Sequence, residues 1–396
     1  MTSSVLENAR VVEHDQVVAK TLAFVKGRVA EAPANAFRVD LRDHVIFPGL
    51  INAHDHLQLN HIPPLAHAEP FSNSYAWIDA FESHLREPGV IAATRTPSDA
   101  RHWQGGLKNL LAGATTVAHH DPWHAVLDVP DFPVNVLRNF GWSHSLGLGE
   151  ASGGLTPRYG PPVAQSFVAT SREHPWIIHL AEGTDDVAGA ELARLAALGC
   201  LAPNTVLVHG VGLRRSDVER VIECGAAVVW CPASNLAMLG RTLEPWAIRR
   251  LFTARRLTLG SDSRLTGSRD LLEELRVASS HSDLSANELV QLVTGAASRI
   301  LRMPECGGSR LGQRADFVIV RARIDAHRAL FEAGRSEIRV VVRGGVPVIA
   351  DVEFAEWFVH CGVAFADVQV DGRPKLIDQR LVCREVTVLE PGLVTT

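Results

Sequence analysis

The sequence predicts an α/β protein: a (β/α)8 barrel over residues 48–311, with a smaller β-rich unit built from both chain ends, 1–47 and 312–396. Three observations carry this reading. Apolar strand-like runs alternate with helix-like segments through the middle of the chain, the pattern of a parallel sheet covered on its faces. Polar residues punctuate those runs at one end only, the C-terminal end. The chain termini instead show short period-two patterning, the mark of half-buried β-strands.

Taken in order, residues 1–47 hold VLENARVV, TLAFVKGRVA and AFRVDLRDHVIF, short alternating runs with a Lys-Gly turn. PGLINAHDHL (48–57) then begins as a buried strand and ends in two histidines, His54 and His56. TTVAH (115–119), VNVL (134–137), WIIHL (176–180), TVLVHG (205–210), AAVVWC (226–231) and LTLGSD (257–262) follow as strand candidates. The stretch 120–175 fits two regular βα units poorly, and SHSLGL (143–148) is the best candidate for a fourth strand. Ser216 with Glu219, and Ser285 with Glu288, have the S-x-x-E spacing of helix capping boxes, and Gly225 stops the first of these helices. ADFVIVRA and IRVVVRGGVPVIA return to the β-pattern, and the tail beyond about 351 suits a lid, an edge strand or a dimer contact.

Bulk composition narrows the function. With 46% hydrophobic and 21% charged residues, the chain is ordinary for a globular protein. A net charge of −5 gives no basic face for nucleic acid. No apolar run reaches the roughly 18 residues of a membrane span, and the N-terminal MTSSVLENARVVEHDQ lacks the apolar core of a signal peptide. The six cysteines form no CxxC pair, which points to reduced thiols and a cytoplasmic location. A small-molecule substrate and a homodimer are expected. There is no HExxH, no G-x-S-x-G and no GxxxxGK.

The 18 histidines are more than packing calls for. Alternate residues on a strand project to one side, so His54 and His56 are able to reach one ion. In a barrel the strand C-termini converge on one face. His179, His209 and Asp262 each close a strand candidate and would meet the first two there. Catalytic zinc takes three or four N/O ligands and keeps an open position, and His54, His56, His179 and Asp262 supply such a set. Glu182, three residues past His179, is placed as a proton shuttle. Taken singly, each residue has a plainer reading as a strand-end polar group, a helix cap or a solvated carboxylate. Their shared position at one end of the strands is what argues for a site. His61, His119, His120, Trp123, His144 and Asn235 are candidates for the rim that binds substrate. Arg264 or Arg269 suits a substrate carboxylate.

PGLINAHDHL, HLAEGTD, LVHGVGL, WCPASNLAM, LGSD and LGQRADFVIV occur in that order over about 44–320. Together they resemble the amidohydrolase superfamily, in particular its deaminase and chlorohydrolase branch of cytosine, guanine and adenosylhomocysteine deaminases and triazine hydrolases. The resemblance implies a TIM-like barrel, a small β-sandwich from both chain ends, and one divalent metal, zinc or alternatively ferrous iron. It makes His54 and His56 the HxH pair, His179 and Glu182 the HxxE, His209 the strand-six histidine and Asp262 the strand-eight aspartate. Some relatives bridge two metals with a carboxylated lysine. This chain has four lysines and none between Lys108 and Lys375, which leaves Glu150 as a bridging candidate and one metal as the simpler expectation. SDSRLTGSRDLLEELR also resembles a stretch of formiminoglutamate deiminases. The reaction implied is hydrolysis of an amidine-like C–N bond, with Glu182, His209 and Asp262 taking part. Hydrolysis of a cyclic amide, a halide or a formimino group by the same machinery is the near alternative, and a non-catalytic metal-binding scaffold the distant one.

Overall fold

The computed structural model describes residues 3–149, 159–382 and 390–395. Among the described residues, eight strands occupy the middle of the chain: β1 (Leu50–Asp55), β2 (Ala114–His119), β3 (Asn135–Val136), β4 (Gly141–Trp142), β5 (Trp176–Leu180), β6 (Thr205–His209), β7 (Ala227–Trp230) and β8 (Leu257–Leu259). They form two parallel arrays, β3-β2-β1 and β4-β5-β6-β7-β8, in which neighbours in sequence are neighbours in space. β1, β2, β5, β6 and β7 are buried along their whole length. That is why they read as apolar runs and not as alternating strands.

Among the described residues no ladder joins β3 to β4 or β8 to β1. At the second of these seams the chain after β8 is tied to β1 by other bonds. Asp262 N donates to His54 O (3.0 Å) and Ser261 N to Asn52 Oδ1 (3.0 Å).

The fourth strand is Gly141–Trp142, paired with Trp176 and Ile177, and not 143–148, where Leu146–Gly149 is helical. With two residues it is too short to show any period. A second correction concerns the helix Arg215–Glu223. Its capping carboxylate is Asp217, which accepts from Arg214 N (3.0 Å), while Glu219 pairs with Arg250 instead. The Ser285/Glu288 box forms as expected, with Ser285 N to Glu288 Oε2 at 2.7 Å and Glu288 N to Ser285 Oγ at 3.3 Å.

The termini meet in one nine-stranded sheet. His44–Pro48 and Arg10–Glu13 from the front of the chain lie beside Phe317–Arg321 and Ile338–Arg343 from the back. A four-stranded sheet of Ser3–Glu7, Leu22–Val25, Arg28–Ala30 and Phe37–Asp40 faces it across a core of Leu6, Phe24, Phe317 and Trp357. The tail supplies edge strands to the larger sheet, Phe365–Val370, Arg373–Asp378 and Leu393–Thr395.

Glu274, on the helix Leu271–Ser280, is fully buried and accepts from Ala233 N (2.8 Å) and Ser268 Oγ (2.5 Å). Burial outweighs those bonds and raises its carboxyl to about 8. A carboxyl whose pKa is raised on folding gives stability that is full below the unfolded value of 4.5 and is lost as pH rises toward the folded value. Glu274→Gln keeps both contacts without the charge. Wild type should therefore lose stability relative to this variant between about pH 5 and 8, a trend chemical denaturation at several pH values would read. Parallel pH curves would contradict it.

Candidate active site

The five strand-end residues do converge. Nε2 of His179 lies 3.2 Å from Nε2 of His54 and 3.3 Å from Nε2 of His56. Asp262 Oδ1 is 3.9 Å from Nε2 of both His54 and His56. Ligand atoms of His54, His56, His120 and His179 lie within 4.8 Å of one another, as do those of His54, His209 and Asp262. His209 and Asp262 hold positive φ, 75° and 55°, as does Ala181 at 53° beside Glu182. Such backbone costs of order 1–3 kcal/mol at a non-glycine residue and is found where surrounding contacts fix it. Here it turns the side chains after β6 and β8 into the site.

The other ring atoms are held from behind. His56 Nδ1 meets Asp121 Oδ2 at 2.7 Å, and His179 Nδ1 meets the His144 carbonyl at 2.9 Å. These partners make each Nδ1 the protonated atom and leave each Nε2 a lone pair. Two such lone pairs facing one another, as on His56 and His179 at 3.3 Å, repel unless a proton or a cation lies between them. Burial and neighbouring rings push His54 and His179 well below the ordinary imidazole value, so they are neutral, as metal ligands must be. Burial would lower His56 too, but Asp121 overcomes it and lifts the ring to about 9, so positive charge is favoured at this spot, either a proton on Nε2 donated toward His179 or a cation that replaces it. The donor set fits one divalent cation.

Asp262 is fixed by three donors: Ser263 N to Oδ1 (2.6 Å), and Ser234 Oγ (2.7 Å) and Thr266 Oγ1 (3.0 Å) to Oδ2. Glu182 stands just past β5, buried, with Oε1 3.3 Å from His209 Nε2. Burial, helped by nearby Asp262 and opposed by His209, raises its carboxyl to about 7. A carboxyl poised there is able both to take and to return a proton near neutral pH. His209 Nδ1 is held by Asn235 Oδ1 at 2.8 Å.

A cavity of about 350 Å³ opens onto these groups. Its floor is polar, with His56, Asp121, His144, His179, Glu182, His209 and Asp262; its upper wall is apolar, with Leu59, Trp77, Ile78, Phe81 and Leu265. Trp77 and Phe81 stack at 4.9 Å on one face of the helix Ser74–His84. Of the rim candidates, His144 lines the cavity and His120 joins the histidine cluster. Asn235 lies behind His209. His119 points the other way, toward His102 (5.4 Å), because adjacent residues at a strand end face opposite sides. His61 bonds Gln104 and Thr96, and Trp123 is exposed and bonds Asp128. Arg264 pairs with Glu390 and Arg269 with Asp371, so both guanidinium groups are engaged away from the cavity. Glu150 lies outside the described residues.

Sequence reasoning passed over Asp121, Tyr159 and the Trp77/Phe81 wall. Asp121 follows β2 by two residues, so the strand-end rule that selected His179 applied to it equally. Tyr159 donates to Asp121 Oδ1, a contact between distant loops that no local pattern reveals.

Comparison with known proteins agrees with this fold. The sequence model of the amidohydrolase family matches residues 163–348. The 5-methylthioadenosine/S-adenosylhomocysteine deaminase of Halobacterium salinarum is 24% identical over 343 residues, 74% of this chain and 76% of the relative. An adenosine deaminase from Xanthomonas campestris with bound zinc superposes with a TM-score of 0.67 at 20% identity, covering 87% of this chain and 92% of the other. Atrazine chlorohydrolase of Arthrobacter aurescens, solved with zinc, gives 0.70 at 19% identity over 90% and 99%. The resemblance read from the sequence motifs therefore stands.

Proposed function

For a chain matching the amidohydrolase family over residues 163–348, we propose metal-dependent hydrolysis of an amidine-like C–N bond in a small heterocyclic substrate, with release of ammonia. The observation that carries it is the pairing of a donor set, His54, His56 and His179 at 3.2–3.3 Å with Asp262 3.9 Å from the first two, with a buried carboxyl, Glu182, poised near neutrality on the same cavity floor. The fold reading that goes with it is a closed (β/α)8 barrel over 48–311, supported by eight parallel strands in chain order and by the Asp262–His54 bond at the β8/β1 seam. The units 1–47 and 312–396 then pack as a β-sandwich, supported by their shared sheet and core.

His54, His56, His179 and Asp262 would hold the ion, zinc in this reading. When bound, it supplies Lewis acidity that makes water a nucleophile near neutral pH. Glu182 takes a proton from the attacking water and returns it to the substrate nitrogen. The water oxygen bonds to the sp² carbon, the C–N bond breaks, and the protonated nitrogen leaves as ammonia. His209 donates its Nδ1–H to Asn235 Oδ1, and its Nε2, 3.3 Å from Glu182 Oε1, donates toward charge developing on the substrate once it has taken up a proton there. Asp262, its Oδ2 occupied by Ser234 and Thr266, orients the water. The apolar wall at Trp77 and Phe81 packs against the substrate body.

The zinc-loaded protein, assayed for ammonia release against purines, pyrimidines, triazines and acyclic amidines, should turn over at least one heterocyclic amine. Halide or cyclic-amide hydrolysis without ammonia would move the leaving group. A protein that folds and binds no metal would favour a scaffold.

A further inference from the structure

Lys108 lies on the helix Ser98–Leu111 with no exposed side-chain surface. It does not line the cavity. An ammonium has three N–H donors, and the three acceptors around this one are Asp55 Oδ2 (3.2 Å), Ser261 Oγ (3.2 Å) and the carbonyl of Asp262 (2.9 Å). Asp55 stands between His54 and His56 in sequence and projects to the opposite side of β1. Asn109 and Asn60 also donate to its carboxylate, at 2.8 and 2.9 Å. The Ser261 hydroxyl donates to the Asp262 carbonyl as well (3.0 Å). The cluster therefore grips the peptide of Asp262, which holds φ at 55°. It does so at the seam where no ladder joins β8 to β1 among the described residues.

We propose that the Lys108–Asp55 pair is a positioning device for the metal site. It locks the Asp262 backbone in its left-handed turn, and so sets the direction of the Asp262 carboxylate against His54 and His56. Asp55 carries the coupling from the strand that bears the histidines; Lys108 carries it to the segment that bears the aspartate. Neither touches substrate. The inference rests on the proposed role of Asp262 as a ligand.

A buried pair is also able to serve stability alone, and the chain contains its own control. Lys375 is 1% exposed, donates to Ile338 O (2.6 Å) and pairs with Asp351 in the terminal sheet. The test uses the full chain, stripped of metal, with Zn²⁺ affinity from chelator competition and the visible spectrum after Co²⁺ loading. Lys108→Met, and the charge-balanced Lys108→Met/Asp55→Asn, should bind Zn²⁺ about 10–100-fold more weakly and show an altered Co²⁺ spectrum. In turnover, kcat should fall with KM little changed. Lys375→Met should lose thermal stability yet keep wild-type Zn²⁺ affinity and spectrum. Folded Lys108 variants with wild-type affinity and spectrum overturn the proposal, as does an equal loss of affinity in Lys375→Met. If neither Lys108 variant folds, Ser261→Ala decides: several-fold weaker Zn²⁺ binding supports the proposal and wild-type binding overturns it. Asp262→Asn tells the two readings apart. If it too binds Zn²⁺ normally, the ligand role of Asp262 has failed; if it binds weakly while the Lys108 variants bind normally, only the positioning role has.

Discussion

Glu182→Gln should lower kcat by roughly 10²–10⁴, the contribution typical of a general acid–base group, while metal content stays at the wild-type level. The substitution keeps the side chain's size and leaves an amide beside His209, 3.3 Å away in wild type. What it removes is the ability to take a proton. The expectation follows from position: Glu182 is on the cavity floor but outside the two groups of mutually close ligand atoms. The pH dependence has a definite sign. The carboxylate is the active form, so wild-type activity should fall on the acid side as Glu182 protonates, and the variant's residual activity should lack that limb. Metal analysis with steady-state rates across pH checks both. Loss of metal in the variant would make Glu182 a ligand and remove it from proton transfer.

The parts of this site that were legible in sequence share one property: each lies on a barrel strand or within three residues of its C-terminal end. His54 and His56 are two residues apart across the end of one strand, Leu50–Asp55, and that spacing puts them on one side. His179, His209 and Asp262 close apolar runs, and parallel packing brings such ends together. The same parity explains why His120 reaches the cluster and its neighbour His119 does not. Where loops decide, local pattern was silent. β3 and β4 have two residues each, below any readable period. Arg264 and Arg269 seemed available for substrate because their partners, Glu390 and Asp371, lie more than 100 residues away. The Tyr159–Asp121–His56 chain spans three separate segments. A buried lysine also looks like any other lysine until the fold closes around it.

Asp262→Asn should behave unlike Glu182→Gln and like His54→Ala: both should lose metal and activity together. His54 is central to the donor set, with its Nε2 3.2 Å from His179 and 3.9 Å from Asp262, and it belongs to both groups of close ligand atoms. Its removal deletes one neutral donor and leaves His179 with His56 and His120. Asp262→Asn deletes the negative charge. Its Oδ1 now accepts from Ser263 N, and its Oδ2 from Ser234 and Thr266. An asparagine with its oxygen toward Ser263 N turns its NH2 toward the Ser234 and Thr266 hydroxyls, which must then accept where they donated to the carboxylate. The variant therefore loses attraction for the cation and the fixed orientation of the carboxylate at once. Zn²⁺ affinity should drop by more than the roughly 10–100-fold that outer partners cost, and kcat should remain low even when excess Zn²⁺ refills the site. Refilled Asp262→Asn with wild-type turnover would confine Asp262 to metal retention. Unchanged affinity with lost turnover would confine it to orienting water. Only the joint loss matches a carboxylate that does both.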